Sequence, residues 1–196
     1  MEDFSFADRP DKERLTLSLG GNTTINPETA SLYIDLQWTY LEMQKQYEAV
    51  LSQFELSESR FLIMMFLSHA PNWSLTPSEI ADKLGATRAT ASKLLKALEQ
   101  KQWVVKTTSP TDKRSSLVQL TEAGNQVLTT FLPHNFDVIA QMMHYLTPED
   151  IQQFTILLDK LKHGTQAVKM KWSSHMETKK SNFSKLISVS TLTTKP

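Results

Sequence analysis

Residues 87–100 carry small, hydroxylated and basic side chains on one side of a predicted helix, a combination suited to contact with nucleic acid. Four apolar residues at i, i+3, i+4 and i+7 mark the buried side of that helix: Ala91, Leu94, Leu95 and Leu98. The opposite side and its flanks carry Arg88, Ala89, Thr90, Ser92, Lys93, Lys96 and Gln100. Small residues permit close approach to a groove, hydroxyls bond phosphates or base edges, and arginine pairs with guanine through two hydrogen bonds. The pattern favours either a helix that enters a DNA groove or an amphipathic helix whose charged face is solvated.

A charged hairpin follows this helix. Two runs of β-branched and aromatic residues, 103–108 and 115–120, predict two strands. The polar loop between them spans residues 109–114. In the loop, Asp112 precedes Arg114 by two residues, so its carboxylate can orient the guanidinium before Arg114 enters a narrow minor groove. Lys113 adds a phosphate contact. Because a hairpin is expected after the second helix of a winged helix-turn-helix, it favours the groove-binding interpretation.

The first helix of the pair is delimited by its end signals. Thr76, Pro77 and Glu79 supply an N-cap, a proline at the first helical position and a capping-box carboxylate. Gly85 ends the helix, because glycine readily adopts the left-handed conformation that follows a helix C-terminus. The helix N-termini carry positive dipole ends, so Ser78 and Thr87 are expected to lie where phosphate binds.

A long apolar stripe precedes this unit. Seven residues follow one another at alternating spacings of three and four: Tyr33, Leu36, Tyr40, Met43, Tyr47, Val50 and Phe54. On one helix from about residue 28 to residue 54 they form a continuous apolar face that needs a partner. Two interpretations remain open: a core-facing helix of a single bundle, or a helix that packs across a dimer interface.

Further helices are predicted on both sides of the helix-turn-helix. Residues 59–68 are apolar on nearly every side and predict a buried helix capped by Ser57. Residues 121–124 begin another helix, interrupted near Pro133, and the cap signature at residues 147–150 begins a last helix that ends near Lys162. The remaining ends are polar and predict a flexible N-terminal arm and a flexible basic C-terminal tail, at residues 1–27 and 164–196.

Charge is distributed unevenly along the chain, although its 21 basic and 21 acidic side chains cancel. Residues 76–121 hold 8 basic and 4 acidic side chains, whereas residues 1–60 hold 5 and 11. Any nucleic-acid surface must therefore be local. The first thirty residues are too acidic for a signal peptide, and no apolar run reaches the ~20 residues of a membrane span. We therefore expect a cytoplasmic protein without membrane contact.

The residues needed for most enzymatic chemistry are missing. The sequence has no cysteine, which excludes disulfides, thiolate metal sites and cysteine nucleophiles. Its five glycines form no phosphate-binding loop, and no hydrolase or metalloprotease motif occurs. We expect no enzymatic activity and no cofactor. A zinc site formed by His134, Asp137 and His144 is the weaker alternative to ordinary hydrogen-bonded histidines.

The motifs resemble the MarR family of bacterial transcription regulators over about residues 30–163. They comprise Leu56–Phe61, Ser78–Ala81, Thr87–Lys93, Leu98–Glu99, Trp103–Val104, Asp112–Ser115 and Leu120–Gly124. The resemblance implies a mainly α fold with a small β-hairpin wing, that is, a winged helix-turn-helix with a helical dimerisation region. It also implies a homodimer whose dimerisation helices span about residues 28–54 and 123–163, with the helix-turn-helix at about 75–98 and the wing at about 103–120.

The resemblance further implies a repressor that binds a pseudo-palindromic operator and is released by a lipophilic, phenolic or anionic effector. The residue pattern and the resemblance together predict these DNA-binding residues: Ser78, Thr87, Arg88, Thr90, Ser92, Lys93, Lys96, Asp112, Lys113 and Arg114. A ligand pocket is expected at Tyr33, Trp38, Tyr40, Phe61 and Met65, although a core or a dimer interface also accounts for such an aromatic and methionine stripe. The alternative function is a winged helix interaction or architectural module that senses no small molecule.

Overall fold

Five of the described helices begin after a residue whose side chain accepts a hydrogen bond from a backbone N–H of the first turn: Asn26, Thr76, Thr87, Thr121 and Thr147. The computed structural model describes residues 26–108 and 116–190, together with Glu13, Arg14 and Leu17, and it describes side chains as far as Lys171. The helices are α1 (Pro27–Gln53), α2 (Glu58–Ser68), α3 (Pro77–Leu84), α4 (Arg88–Gln100), α5 (Glu122–Met142) and α6 (Pro148–Ser190). The strands are β1 (Ser74–Leu75), β2 (Val104–Thr108) and β3 (Ser116–Leu120). Residues 1–142 and 143–196 form two units, and α6 belongs to the second.

The three strands form one antiparallel sheet in the order β1-β3-β2. Strands β2 and β3 are the predicted hairpin, paired from Val104 opposite Leu120 to Thr108 opposite Ser116. The sequence did not predict β1, which adds Leu75 opposite Val118 at the other edge of β3. Two residues are too short to show a strand periodicity, so β1 exists only because β3 offers it a partner.

Helix α2 lies at the centre of the core of the first unit. Its Phe61, Ile63, Met64 and Leu67 are buried, which confirms the prediction of a buried helix. They form one cluster with residues from α4, the sheet and α5, including Leu95, Leu98, Val118 and Phe131. The Phe131 ring meets the rings of Phe54 and Phe61 edge-on, at centroid distances of 5.2 and 5.0 Å. A single core therefore joins α1 and α5 to the helix-turn-helix.

The apolar stripe of α1 divides into two parts. Toward its end, Leu51 is buried, and Tyr47, Val50 and Phe54 pack against the core. Nearer its beginning, Tyr33 and Tyr40 remain 60% and 57% exposed. Only the second part of the stripe is thus part of the core of this chain.

The structure differs from the sequence-based prediction at Pro133. Helix α5 continues through this residue, although proline removes a helical hydrogen bond at a cost of about 3 kcal/mol. Leu128 and Phe131 before the proline and Asn135 after it are all buried. Burial on both sides of Pro133 holds the helix together.

The last helix is also longer than predicted. Helix α6 passes Lys162 and Gly164 and ends at Ser190, so residues 164–190 are helical rather than an irregular tail. A single interior glycine costs about 1 kcal/mol, and Gln166, Ala167 and Met170 beyond it are good helix formers. Residues 191–196 and most of the predicted N-terminal arm lie outside the described residues.

Candidate nucleic-acid interface and cavity

The N-terminus of α3 is fixed by a capping box. Thr76 Oγ1 accepts a hydrogen bond from the Glu79 backbone N–H at 3.2 Å. In return, Glu79 Oε2 accepts from the backbone N–H and the hydroxyl of Thr76, at 2.7 and 2.8 Å. These hydrogen bonds hold the pKa of the Glu79 carboxyl below its usual value. Ser78 lies in the first turn of α3 and is exposed, as expected of a phosphate-facing residue.

A tight turn then leads into α4. Gly85 adopts the left-handed conformation, with φ of 62°, as predicted from its place after α3. Thr87 caps α4, because its Oγ1 accepts from the Thr90 backbone N–H at 3.2 Å, and the two hydroxyl oxygens lie 2.9 Å apart. Both threonines are exposed, so they shape the helix end and remain accessible to a duplex.

Helix α4 turns its apolar side inward. Ala91, Leu95 and Leu98 are buried and Leu94 is half-buried, which confirms the predicted orientation. The outward side is exposed at every predicted DNA-binding position on this helix: Arg88, Thr90, Ser92, Lys93 and Lys96. The expected groove-facing surface is thus present and accessible.

The cations on this surface are not neutralised within the described part of the chain. No described carboxylate forms an ion pair with Arg88, Lys93 or Lys96. By contrast, Glu99 at the end of α4 pairs with Lys106 of β2 at 3.0 Å. A second pair joins Lys101 to Glu55. Three positive charges therefore remain on α4 for an external anion.

The wing is described only in its two arms. The tip at residues 109–115 lies outside the described residues, so the roles of Asp112, Lys113 and Arg114 remain predictions. The base of the wing is held by Thr121, whose hydroxyl donates to the Gln102 carbonyl at 2.7 Å and accepts from the Gly124 backbone N–H at 3.0 Å.

Gly124 allows this close approach. A Cβ on Gly124 would lie 2.2 Å from the backbone oxygen of Trp103, which is far inside contact distance. The sequence analysis used the Leu120–Gly124 motif only as a family signature. The structure gives it a physical role, because it anchors the start of α5 against the base of the wing.

A cavity of about 550 Å³ opens beside α2, α3 and α5. Its lining is mostly apolar and consists of Phe61, Leu62, Met65, Phe66, His69, Ala70, Pro71, Leu75, Lys83, Leu132, Asn135 and Phe136. A volume of this size suits a small organic ligand. Two of the five predicted pocket residues, Phe61 and Met65, line it.

The three predicted pocket residues on α1 do not line this cavity. Tyr33 and Tyr40 are exposed, and their hydroxyls accept hydrogen bonds from Gln37 and Gln44 of the same helix, at 2.8 Å each. Trp38 is half-buried and also lies outside the lining. The sequence pattern identified an apolar stripe on α1, but spacing within one helix cannot show which other helices enclose a cavity.

Three polar residues of the cavity were not predicted. The Lys83 ammonium lies 5.8 Å from the centroid of the Phe66 ring, in a cation–π arrangement. His69 Nδ1 donates to the Met65 carbonyl at 2.8 Å, which leaves Nε2 of the neutral ring as an acceptor. Asn135 is buried. The sequence signal for such a residue would have been its position between two apolar residues that lie one helical turn apart.

The zinc alternative receives no support from the structure. No group of three or more histidine, aspartate or glutamate side chains among the described residues is placed to hold a metal ion. His134 instead packs its ring against Phe54, at a centroid distance of 5.0 Å. Within the same described residues, no helix is both long and apolar enough to pass through a bilayer.

Comparison with known proteins agrees with this architecture. The family model described as MarR family matches residues 54–115. The HTH-type transcriptional repressor YetL of Bacillus subtilis is 34% identical over 106 residues, which is 54% of this chain and 64% of YetL. The transcriptional repressor MprA of Escherichia coli is 29% identical over 106 residues, which is 54% of this chain and 60% of MprA. The aligned region therefore spans less than two thirds of both curated relatives, whose names are those of regulators rather than enzymes.

A solved structure shows the same fold. Sco3205 of Streptomyces coelicolor, a MarR family transcriptional regulator crystallised in complex with DNA, aligns with a TM-score of 0.64 and 22% identity. The alignment covers 71% of this chain and 89% of that chain. This likeness agrees with the mainly α fold with a small β-sheet that the sequence predicted.

Proposed function

We propose that this chain is a MarR-type, sequence-specific DNA-binding regulator of transcription that inserts α4 into the major groove. Support comes from the MarR family model that matches residues 54–115 and from the similarity to YetL. The observation that carries the proposal is the exposed outer face of α4. It combines hydroxyls and small residues with three cations that no described carboxylate neutralises. Such a face can approach bases closely while the cations contact phosphates.

The regulator acts as a homodimer on a pseudo-palindromic operator. Support comes from apolar surface that this chain leaves uncovered in each of its units. In the first unit, Tyr33, Tyr40 and Leu41 of α1 are exposed, and in the second, Ile151 and Leu161 of α6 are exposed. A second copy that covers such surfaces would set two α4 helices on half-sites about one helical turn apart.

The regulator is a repressor that a small ligand releases from DNA. Both curated relatives described above are named repressors. The cavity supports ligand binding, because its apolar walls carry one cation, Lys83, which suits an apolar ligand with negative charge. Lys83 belongs to α3, so a ligand that contacts it can change the position of the helix that leads into α4.

The test of DNA binding uses a pair of matched variants. Operator sequences are first selected with the purified protein, and the salt dependence of affinity is then measured for Lys96→Gln and for Lys45→Gln. Lys45 is equally a surface lysine, but it lies on α1 near Glu42. Lys96→Gln is expected to lower the salt slope by about 0.9 for the lost phosphate contact, and Lys45→Gln to leave it unchanged. Equal slopes for both variants would refute the placement of α4 on DNA.

The wing is tested separately with Arg114→Ala. The variant should bind operator more weakly than the parent while the dimer stays folded, because Arg114 is proposed to enter the minor groove. Unchanged binding to operator and to random DNA would show that the wing assignment is wrong. If DNA binds but no aromatic acid alters the affinity, the alternative of a winged helix module without ligand sensing is favoured.

A further inference from the structure

Asn135 places a hydrogen-bonding group within the apolar cavity. It is 7% exposed and is the one buried polar residue among those whose side chains are described. Its Oδ1 accepts a hydrogen bond of 2.6 Å from the hydroxyl of Tyr47, which reaches it from α1. A buried amide is normally satisfied on both its oxygen and its nitrogen, so the state of the nitrogen is informative.

The amide nitrogen of Asn135 has no partner among the described residues. It is also not sealed from solvent, since the only fully buried unpaired side-chain atom of the described residues is Nε of Arg60. As Asn135 lines the cavity, its Nδ2 is a donor available to a molecule that enters there.

Tyr47 determines which end of the amide is available. Burial raises the pKa of the Tyr47 hydroxyl, and the negative charges of Glu58 and Glu48 raise it further. The hydroxyl therefore stays protonated and can donate to Oδ1, as it does in the structure. This hydrogen bond orients the amide so that Oδ1 is bound to Tyr47 and Nδ2 is left for the cavity.

We propose that Asn135 selects ligands that carry an oxygen acceptor, a carbonyl or a carboxylate, on an aromatic or other apolar body, and that Tyr47 is a positioning residue for this amide. The inference rests on the proposed ligand-responsive function. A ligand without an acceptor would displace water from Nδ2 and leave it unpaired, which gives discrimination by hydrogen bonding rather than by shape. Lys83 then adds a preference for a charged acceptor over a neutral one.

Three probes of similar shape separate these effects: 2-naphthoate, 2-acetylnaphthalene and 2-isopropylnaphthalene. The first is an anionic acceptor, the second a neutral acceptor, and the third has no acceptor. Binding is measured by calorimetry on the full chain. The parent protein should bind 2-acetylnaphthalene about tenfold more tightly than 2-isopropylnaphthalene, as expected for one net hydrogen bond.

Variants assign the preference to residues. Asn135→Leu should abolish the preference for 2-acetylnaphthalene over 2-isopropylnaphthalene, and Tyr47→Phe should reduce it by freeing the amide to rotate. Lys83→Gln should weaken 2-naphthoate alone. Should Asn135→Leu fail to fold, Asn135→Asp at pH 8 serves instead, because it keeps the Tyr47 hydrogen bond but replaces the donor with a negative charge and should repel 2-naphthoate.

The outcomes distinguish this inference from the function on which it rests. Equal binding of all three probes, or a preference that Asn135→Leu leaves unchanged, overturns the role of Asn135 while ligand sensing stands. No binding of any probe by a parent protein that still binds operator overturns both ligand sensing and the role of Asn135, and leaves DNA binding intact.

Discussion

The outward side of α4 and the region beyond its C-terminus use positive charge in different ways. Along the outward side of the helix, Arg88, Lys93 and Lys96 have no carboxylate partner among the described residues. Beyond its C-terminus, Lys106 pairs with Glu99, and Lys101 both pairs with Glu55 and lies 4.8 Å above the Trp103 ring. Basic side chains are thus available to an external anion in one region and are paired within the chain in the other. Whether a cation can serve DNA binding therefore depends on its partners and not on its type.

The largest expected effect on the free energy of unfolding concerns the buried side of α4. Leu98 is fully buried in the core beneath α4. Leu98→Ala should lower the free energy of unfolding by about 2–5 kcal/mol, because it removes buried methyl groups and leaves a cavity. Chemical denaturation measures this loss, and Lys96→Gln on the opposite side of the helix is the control, with a change within about 0.5 kcal/mol. Comparable losses in the two variants would mean that the inward and outward sides of α4 are wrongly assigned.

The second prediction concerns the base of the wing. Gly124→Ala brings a methyl group against the Trp103 carbonyl, so the start of α5 must shift. We expect a loss of about 1–3 kcal/mol in unfolding free energy, the usual cost of overpacking. Gly164→Ala is the matched control, because a Cβ there meets no atom within 4 Å. It should instead stabilise α6 by up to about 1 kcal/mol, and destabilisation by both variants would argue against a specific contact at Gly124.

Much of this fold could be predicted because its signals are local. Thr76, Pro77 and Gly85 mark the ends of α3 through capping and turn geometry, and the apolar spacing on α4 fixes which side is buried. Pro133 and Gly164 were misleading for the same reason. Each is locally unfavourable in a helix, but flanking burial or good helix formers outweigh it.

The candidate site was only partly predictable. The exposed polar side of α4 follows from one helical periodicity, so a single sequence pattern was enough to predict it. The cavity is lined by residues from three helices, from the segment between α2 and β1 and from β1 itself, so no one periodicity includes them. Asn135 shows this most clearly, since its partner Tyr47 is 88 residues away along the chain.

A smaller effect should distinguish the N-termini of the two helices by pH. The cap of α3 uses the Glu79 carboxylate, whereas the cap of α4 uses the hydroxyls of Thr87 and Thr90. Hydrogen bonds from Thr76 lower the pKa of Glu79 in the folded state. The stability they provide is therefore present above the unfolded pKa of a glutamate and is lost as the pH falls through the lower folded pKa.

Glu79→Gln measures this contribution. The variant should show a weaker dependence of unfolding free energy on pH between about 5 and 3 than the parent, as monitored by denaturation at each pH. Thr87→Ala removes the other cap and should cost about 1 kcal/mol at every pH. An unaltered pH profile in Glu79→Gln would show that the carboxylate does not stabilise the cap.

The smallest expected effect sharpens the comparison at the end of α4. Gln102 lies between the paired Lys101 and the wing, and it adopts φ of 59°, a conformation that costs a non-glycine residue about 1 kcal/mol. Gln102→Gly should relieve this cost, but glycine also raises the conformational entropy of the unfolded chain, so a net stabilisation of no more than about 0.5 kcal/mol is expected. Gln100→Gly within α4 is the control and should destabilise by about 1 kcal/mol, because there the backbone is helical. If Gln102→Gly destabilises the protein as much as Gln100→Gly does, the left-handed conformation of Gln102 is not strained. The ion pairs of Lys101 and Lys106 would then have no backbone strain to compensate.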